Sequence, residues 1–328
     1  MIPASRRLAL GSLATALAAP ALLRGAAAQT APAAAAASPQ APGFYRFKVG
    51  GFTVTTVHDG SFTRPIEAFV RNAPLADVQA VLAAQFLPTD SFRIPFTVTF
   101  VQTPTKLVVF DSGNGITPPN ATNGKMIGNM AAAGIDPAKV DAVILSHFHG
   151  DHVNGLLGAD NAAAFPNAEI FLPEAEIAWF GDTANESRSP EGQRGNFANS
   201  ARRLAPYAGK ITRLKAGAEP VPGITAIDAF GHTPGHTIYR IADGGAQAVF
   251  MADVTNRPEL FAARPGYHAV FDFDADRAEA TRRKVLDMVS TDRIRTTGYH
   301  FPFPANGYFA KDGGGYRYVP ADWSSAVI

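Results

Sequence analysis

The segment His147-Phe148-His149-Gly150-Asp151-His152 constrains this chain more than any other feature. It directly follows residues 140–145, an apolar and β-branched run that predicts a buried strand. Side chains two residues apart in an extended segment point the same way, so His147 and His149 can bind one metal ion. The chain then turns, and the Asp-His pair that follows can face a second ion. A surface histidine cluster is the alternative, but three histidines and an aspartate behind a buried strand favour a metal site.

The chain has 328 residues and contains no cysteine. Disulfide scaffolds and cysteine-ligated metals are therefore excluded, and any metal must use histidine and carboxylate ligands. Zinc accepts both kinds of ligand at about 2.0–2.2 Å. Manganese, iron or cobalt also bind such nitrogen and oxygen sites. The sequence therefore predicts two divalent ions, with zinc expected at both positions and the identity of the metals left open.

The charge of the chain is balanced, with 29 basic and 28 acidic residues. The longest basic run is Arg282-Arg283-Lys284, in a segment that we predict to be a solvated helix face. This balance lacks the basic footprint of a protein that binds nucleic acid or an anionic membrane. The expected partner is therefore a small molecule.

The N-terminus predicts export. Arg6 and Arg7 precede an apolar stretch that ends at Leu23, and small residues follow. This order is typical of a secretory signal over residues 1–28 and not of a membrane span, so no stable membrane insertion is expected. The paired arginines resemble a twin-arginine signal, which exports folded proteins, with an ordinary secretory signal as the alternative. We therefore expect a periplasmic or secreted protein.

Two further regions follow the signal. Residues 29–43, rich in alanine and proline, predict a flexible leader. Residues 44–328 predict one domain in which strands and helices alternate, consistent with two β-sheets packed face to face with helices outside. The predicted strands are 52–57, 96–101, 106–110, 140–145, 169–172, 224–230, 237–241 and 248–251, and the predicted helices are 77–86, 126–133, 174–180 and 277–289. The polar, glycine-rich segment 181–198 predicts a long functional loop.

More candidate ligands lie at the ends of other predicted strands. His232 and His236 follow the strand 224–230, Asp253 follows 248–251, and His300 lies in a proline-rich turn. Each of these residues, taken singly, is weak evidence for a metal site, because a lone histidine is more often structural. Strand ends beside turns are, however, where sites are commonly assembled.

Together these motifs resemble the five-motif pattern of the metallo-β-lactamase superfamily, from about residue 44 to the C-terminus. The resemblance implies an α/β protein with an αββα sandwich. It implies that His147, His149 and His232 bind the first metal, that Asp151, His152 and His300 bind the second, and that Asp253 bridges both. It also implies that Asp111 supports the ligand loop. His236 is expected beside the ligands, and His58 and His268 are expected to be structural.

Within the superfamily the chain resembles the methyl parathion hydrolases. Shared stretches include 41–46, 165–168, 231–237, 300–304 and 315–320. Two segments depart from that pattern, 91–96 and 117–120, and the second lacks an expected aromatic residue. Both departures fall where a leaving group would lie, so the substrate stays open. A homodimer is favoured only by this resemblance.

The function expected from these residues is hydrolysis by a hydroxide that bridges the two metals. The substrates would be organophosphate triesters, aryl esters or lactones. Asp151 and Asp253 would place the metals, and one of them would accept a proton. No general acid is evident, so leaving groups that depart easily are favoured. Aromatic residues expected in the substrate pocket are Phe92, Phe96, Trp179, Phe197 and Phe303.

Two other functions stay open at this point. An acyl-homoserine lactonase would use the same metals, but the family's tyrosine after the bridging aspartate is replaced here by Val254-Thr255-Asn256. A periplasmic zinc-binding protein without activity is the second alternative, although dispersed ligands favour catalysis. A β-lactamase or a nuclease fits the ligand set and the charge less well.

Overall fold

The computed structural model describes residues 40–328, of which Ala41–Ile328 forms one compact unit. The predicted signal at 1–28 and residues 29–39 of the predicted leader lie outside the described residues. No helix in the described range has the length and apolar character needed to cross a membrane.

The first sheet is built from the first half of the domain and has its strands in sequence order. Its first four strands pair antiparallel and the last three continue in parallel. The strands are β1 (Phe44–Val49), β2 (Phe52–Pro65), β3 (Ser91–Gln102), β4 (Leu107–Phe110), β5 (Ala142–Ile144), β6 (Glu169–Pro173) and β7 (Ile211–Leu214). Both β2 and β3 extend well beyond the predicted ranges 52–57 and 96–101, because they pair with each other to Pro65 and Ser91.

The second sheet comes from the second half, in the order β13-β12-β11-β10-β9-β8. Only β10 and β11 pair in parallel among its described strands. The strands are β8 (Ile224–Asp228), β9 (Thr237–Asp243), β10 (Ala246–Phe250), β11 (Arg295–Thr297), β12 (Asn306–Asp312) and β13 (Gly315–Pro320).

The two sheets meet through apolar side chains. Phe110 of β4 stacks on Phe250 of β10 and Tyr239 of β9, with ring centroids 4.9 and 5.2 Å apart. All three side chains are fully buried. Burial of such rings between sheets supplies much of the apolar driving force for folding.

Helices complete the outer layers. They are α1 (Leu75–Ala83), α2 (Met126–Ala132), α3 (Gly150–Val153), α4 (Glu174–Gly181), α5 (Ala184–Arg188), α6 (Gly195–Leu204), α7 (Pro258–Phe261) and α8 (Ala275–Thr291). The buried face of α8 packs on the second sheet through Val285, Leu286 and Val289. The predicted αββα sandwich is therefore confirmed.

The predicted loop at 181–198 is wrong, because this segment contains α5 and the first turn of α6. Its glycines and its Asp, Thr, Asn and Ser residues have low helix propensity. Packing overrides that propensity: Phe197 on α6 is buried against Phe180 on α4, with ring centroids 4.7 Å apart.

Candidate metal centre

The candidate ligands lie on loops that leave strand ends. β5 leads into His147 and His149, and α3 then carries Asp151 and His152. In the second half, β8, β10 and β11 lead into the loops of His232, Asp253 and His300 respectively. The interface between the sheets brings these loops together, so residues more than 150 positions apart in the sequence share one site.

One group of ligand atoms gathers around His149. Its Nδ1 lies 3.0 Å from His147 Nε2 and 2.9 Å from His232 Nε2. Asp253 Oδ2 lies 3.2 Å from His232 Nε2. These four buried residues present ligand atoms within 4.8 Å of one another.

A second group lies beside the first. His300 Nε2 is 3.5 Å from Asp151 Oδ2, and His152 Nε2 is 3.4 Å from the same oxygen. Asp253 faces this group too, with Oδ1 at 3.3 Å from His152 Nε2 and Oδ2 at 3.1 Å from His300 Nε2. One carboxylate therefore lies between both groups.

The chemistry of these atoms fits two divalent cations. Tetrahedral bonds of about 2.0–2.1 Å separate neighbouring ligand atoms by about 3.4 Å, close to the spacings found here. His152 Nε2 and Asp253 Oδ1 are buried without a hydrogen-bond partner among the described residues. Such atoms are costly to bury unless another group satisfies them.

The electrostatics agree with that fit. Burial lowers the pKa of His149 to about 3 and that of His147 well below its usual value, so both imidazoles are neutral, the form that binds metals. Burial opposes ionisation of Asp253, but His300 and His152 hold the pKa of that carboxyl well below its usual range. Burial opposes protonation of His232 and His152, but Asp253 and their other carboxylate partners raise the pKa of His232 to about 9 and that of His152 well above its usual value. These two imidazoles would release a proton when a metal binds.

Asp111 holds the loop that carries His147, His149, Asp151 and His152. Its carboxylate accepts hydrogen bonds from Ser146 N at 2.7 Å, Ser146 Oγ at 2.8 Å and His152 Nδ1 at 2.8 Å. The last contact leaves His152 Nε2 aimed at Asp253 and Asp151. Tyr299 holds the same turn, since its hydroxyl donates to Asp151 O at 2.6 Å.

His236 lies beside the two groups and outside both of them. Its Nδ1 donates to Ala229 O at 3.0 Å, and its Nε2 accepts from Asp253 N at 3.2 Å. The fully buried ring therefore fixes the backbone of Asp253. His58 and His268 are remote: His268 Nε2 contacts Glu279 at 3.0 Å, and His58 packs on Phe303.

The structure adds a relay that sequence reasoning missed. His232 Nδ1 donates to Asp272 Oδ1 at 2.9 Å, and Arg282 Nη2 donates to Asp272 Oδ2 at 3.3 Å. Arg282 is only 2% exposed, so the predicted solvated face is wrong at this position. The signal was the helical spacing of Arg282 with Ala278, Val285 and Val289, which share the buried face of α8.

Glu176 is a second missed residue and links the two histidine loops. Its Oε1 accepts from Phe148 N at 2.9 Å, and its Oε2 accepts from Gly235 N at 2.7 Å and Thr233 Oγ1 at 2.9 Å. Burial raises the pKa of Glu176 to about 7. No sequence signal distinguishes it from Glu174, which is half-buried on the same helix.

A cavity of about 240 Å³ opens above the two groups. Among the described residues, its wall contains no ionisable side chain besides the candidate ligands. The residues that line it are Phe62, Ile94, Phe96, His149, Gly150, Asp151, Gly192, Gln193, Asn196, His232, Asp253, Asn256, Phe271 and His300.

Of the five predicted pocket aromatics, only Phe96 lines this cavity, with its ring 5.4 Å from that of His300. The other four pack elsewhere. Phe92 lies edge-on to Phe69, Phe197 lies against Phe180, Trp179 is half-buried beside Arg188, and Phe303 contacts His58. Phe62 and Ile94 line the cavity because the β2–β3 pair extends over the site. Phe271 reaches it from the segment that precedes α8.

A two-sheet sandwich with clustered histidine and aspartate groups at its loop edge defines a class of metal-dependent hydrolases. The family model described as "Metallo-beta-lactamase superfamily" matches residues 96–293, more than half of the chain. The protein therefore belongs to the metallo-β-lactamase superfamily. A comparison with the curated protein sequences gives no match.

Several solved structures are similar to this chain. A hydrolase named AbOPH, in the β-lactamase superfamily, has a TM-score of 0.81 and 25% identity, covering 88% of this chain and all of its own. AidC, a dizinc quorum-quenching lactonase solved with a product, has a TM-score of 0.81 and 24% identity, covering 86% and 99%. A probable metal-dependent hydrolase from Staphylococcus aureus has a TM-score of 0.70 and 19% identity, covering 85% and 100%. The narrower resemblance to methyl parathion hydrolases stays a prediction.

Proposed function

We propose that the protein is a binuclear metal-dependent hydrolase of neutral, ester-like small molecules: aryl esters, lactones or organophosphate triesters. One observation carries this proposal. The two ligand groups, joined by Asp253, form the floor of a cavity whose remaining wall is apolar or carries only amides. The described part of this wall carries no lysine or arginine to pair with a substrate anion, so an uncharged substrate fits it best.

The ligands divide the work of holding the metals. His147, His149 and His232 would hold one ion, and Asp151, His152 and His300 the other, with Asp253 shared. When bound, the two ions supply a nucleophile at neutral pH and polarise the oxygen of the bond under attack. The side chain of Asp151 is 25% exposed and that of Asp253 only 3%. Asp151 is therefore the carboxylate placed to accept a proton from the cavity.

The site offers no evident general acid to protonate the leaving group. Apart from the candidate ligands, the described cavity wall contains no acid that can donate one. Leaving groups that are stable as anions, such as phenolates and enolates, therefore fit the site better than amide nitrogens do.

Acyl-homoserine lactones are a second candidate substrate. Asn256, the third residue after Asp253, contributes a polar side chain to the cavity. It stands in the stretch where a lactonase tyrosine was expected, and its amide can donate a hydrogen bond. AidC, the structural neighbour described as a lactonase, adds a likeness in fold.

An enzyme fits better than a zinc-storage protein, because a storage site is usually closed by its ligands and this one opens into a cavity.

We also propose that the protein is exported to the periplasm or the medium by a signal that contains the arginine pair Arg6 and Arg7. Fractionation and N-terminal sequencing of the mature protein test this, and retention of an Arg6→Lys, Arg7→Lys double variant in the cytoplasm would identify the twin-arginine route.

The deciding experiment is a substrate panel on metal-loaded protein: p-nitrophenyl acetate, dihydrocoumarin, methyl parathion and an acyl-homoserine lactone. Metal content is measured on the same sample. We expect turnover of at least one substrate, and its loss in Asp253→Ala. Two bound metals without turnover anywhere in the panel would instead support the storage protein.

A further inference from the structure

Three carboxamides in the cavity wall lie next to the ligands and have no part in holding metals: Gln193, Asn196 and Asn256. A carboxamide has an acceptor oxygen on one side and a donor nitrogen on the other. Here the hydrogen bonds of the neighbouring groups fix which atom of each amide faces which way.

Asn256 has its oxygen engaged. Its Oδ1 accepts from Arg257 N at 3.0 Å, and this is the one hydrogen bond of its side chain within residues 40–328. A backbone N–H can only donate, so the atom it meets must be the oxygen. The side chain is 4% exposed and lines the cavity. The Nδ2 donor is therefore the atom left to meet a substrate.

Asn196 has the opposite polarity. Gln193 Nε2 donates to the carbonyl of Phe271 at 3.2 Å, so Gln193 Oε1 is an acceptor. Asn196 Nδ2 donates to that oxygen at 2.8 Å. Asn196 Oδ1 accepts from no residue in the described chain, and it is left as an acceptor in the cavity wall.

We propose that Asn256 and Asn196 bind substrate as a donor and an acceptor, and that Asn196 selects esters bearing an N–H or O–H group near the acyl carbon. This inference rests on the proposed function. Asn256 Nδ2 would donate to the substrate oxygen that gains charge, which strengthens its effect in the transition state. Asn196 Oδ1 would accept from the substrate's own donor. An ester without that donor leaves Asn196 unpaired when water is displaced, which disfavours its binding.

A matched pair of esters tests the acceptor. The p-nitrophenyl esters of N-acetylglycine and N-acetylsarcosine share a leaving group and differ by one N–H replaced with N–CH₃. We expect kcat/KM, corrected for spontaneous hydrolysis, to favour the N–H ester by about tenfold, the effect of one net hydrogen bond. Asn196→Ala should reduce the ratio to about one. Asn196→Asp keeps an acceptor and should preserve the preference.

A second set of variants tests the donor. Asn256 has a positive φ of 40°, which asparagine and glycine tolerate, so Asn256→Gly keeps the backbone and removes the amide. Asn256→Asp keeps the acceptor of the Arg257 N–H and removes the donor. Asn256→Gly should lower kcat/KM for the two esters about tenfold, and Asn256→Asp should lower it further because its second oxygen would face the substrate oxygen that gains charge. Both variants should leave the ratio of the two esters unchanged. Full activity of Asn256→Gly would mean that Asn256 serves only the turn, and would overturn its assignment.

Binding of the products provides a readout without turnover. Calorimetry should show N-acetylglycine binding to the metal-loaded protein about tenfold more tightly than N-acetylsarcosine, with the difference lost in Asn196→Ala. If neither ester is hydrolysed by metal-loaded protein, the proposed function fails. If both are hydrolysed at equal rates by the wild type, the function stands and the selection by Asn196 is refuted.

Discussion

At the scale of single residues, the site depends on side chains that lie outside both groups of candidate ligands. His232 reaches its position because Asp272 accepts from its Nδ1, and Arg282 in turn fixes Asp272. A carboxylate behind a ligating histidine fixes the ring's orientation and raises its basicity. The relay thus orients His232, one of the candidate ligands in the group around His149.

Asp272→Asn should weaken metal binding. The amide cannot serve both as an acceptor for His232 and as an anionic partner for Arg282. Loss of such a partner typically lowers metal affinity about 10–100-fold. Titration with a competing chelator measures this, with Asp276→Asn as the control, because the Asp276 side chain is 96% exposed. Equal affinities for wild type and Asp272→Asn would show that the relay has no influence on the metals.

At the scale of elements, α4 acts as a brace between the two halves of the site. Its Glu176 accepts backbone N–H groups from the loop of His147 and His149 and from the loop of His232. The loops approach α4 so closely that a Cβ on Gly235 would lie 2.1 Å from Glu176 N. The brace therefore needs both a carboxylate and a glycine.

At pH 8, where Glu176 is ionised, Glu176→Gln should lower the free energy of unfolding by about 1–3 kcal/mol, because one acceptor oxygen becomes a donor that faces other donors. Glu174→Gln, on the same helix with its side chain 41% exposed, should change it little. Burial raises the pKa of Glu176 to about 7 from its ordinary 4.5, so the metal-free wild type should lose stability as the pH rises between those values. This part of the pH dependence should be missing from Glu176→Gln in urea titrations at several pH values.

The turn after α3 offers another test at this scale. A Cβ on Gly155 would lie 1.7 Å from the carbonyl oxygen of Ser112, beside the loop of Asp111. Gly155→Ala should therefore cost about 3 kcal/mol of stability. Gly128→Ala, inside α2 with open space around it, should gain up to about 1 kcal/mol. Thermal unfolding of both variants checks the contrast, and equal melting temperatures would contradict it.

At the scale of the molecule, the αββα sandwich and the clustering of seven histidines and aspartates were predicted before the structure was known. Strand periodicity and the motif at 147–152 are local patterns and could be read directly. The grouping of His232, Asp253 and His300 with that motif came from the resemblance to the metallo-β-lactamase superfamily. The cavity wall was mostly missed, since Phe62 and Phe271 reach it through strand pairing and long-range packing. Glu176 and Asp272 were missed for the same reason, because their roles arise from contacts between distant loops.

Removal of the metals should lower the thermal stability of the whole domain. The ligands come from both sheets, so ions bound only to the folded state add to its stability, by about 4 kcal/mol at a thousandfold excess over Kd. Calorimetry with and without a chelator should show a melting temperature lowered by several degrees, restored by zinc. Asp253→Ala should respond much less to zinc, and an identical response in this variant would argue against the shared site.

The position of Asp253 between the two ligand groups has a consequence for assembly. The first half of the domain carries His147, His149, Asp151 and His152, and the second half carries His232, Asp253 and His300. A chain divided between β7 and β8 would give two fragments, and neither would hold a complete set for either ion. Complete metal sites would then form only when the two fragments associate. Binding of two metals would therefore measure how far the two halves of the domain have paired.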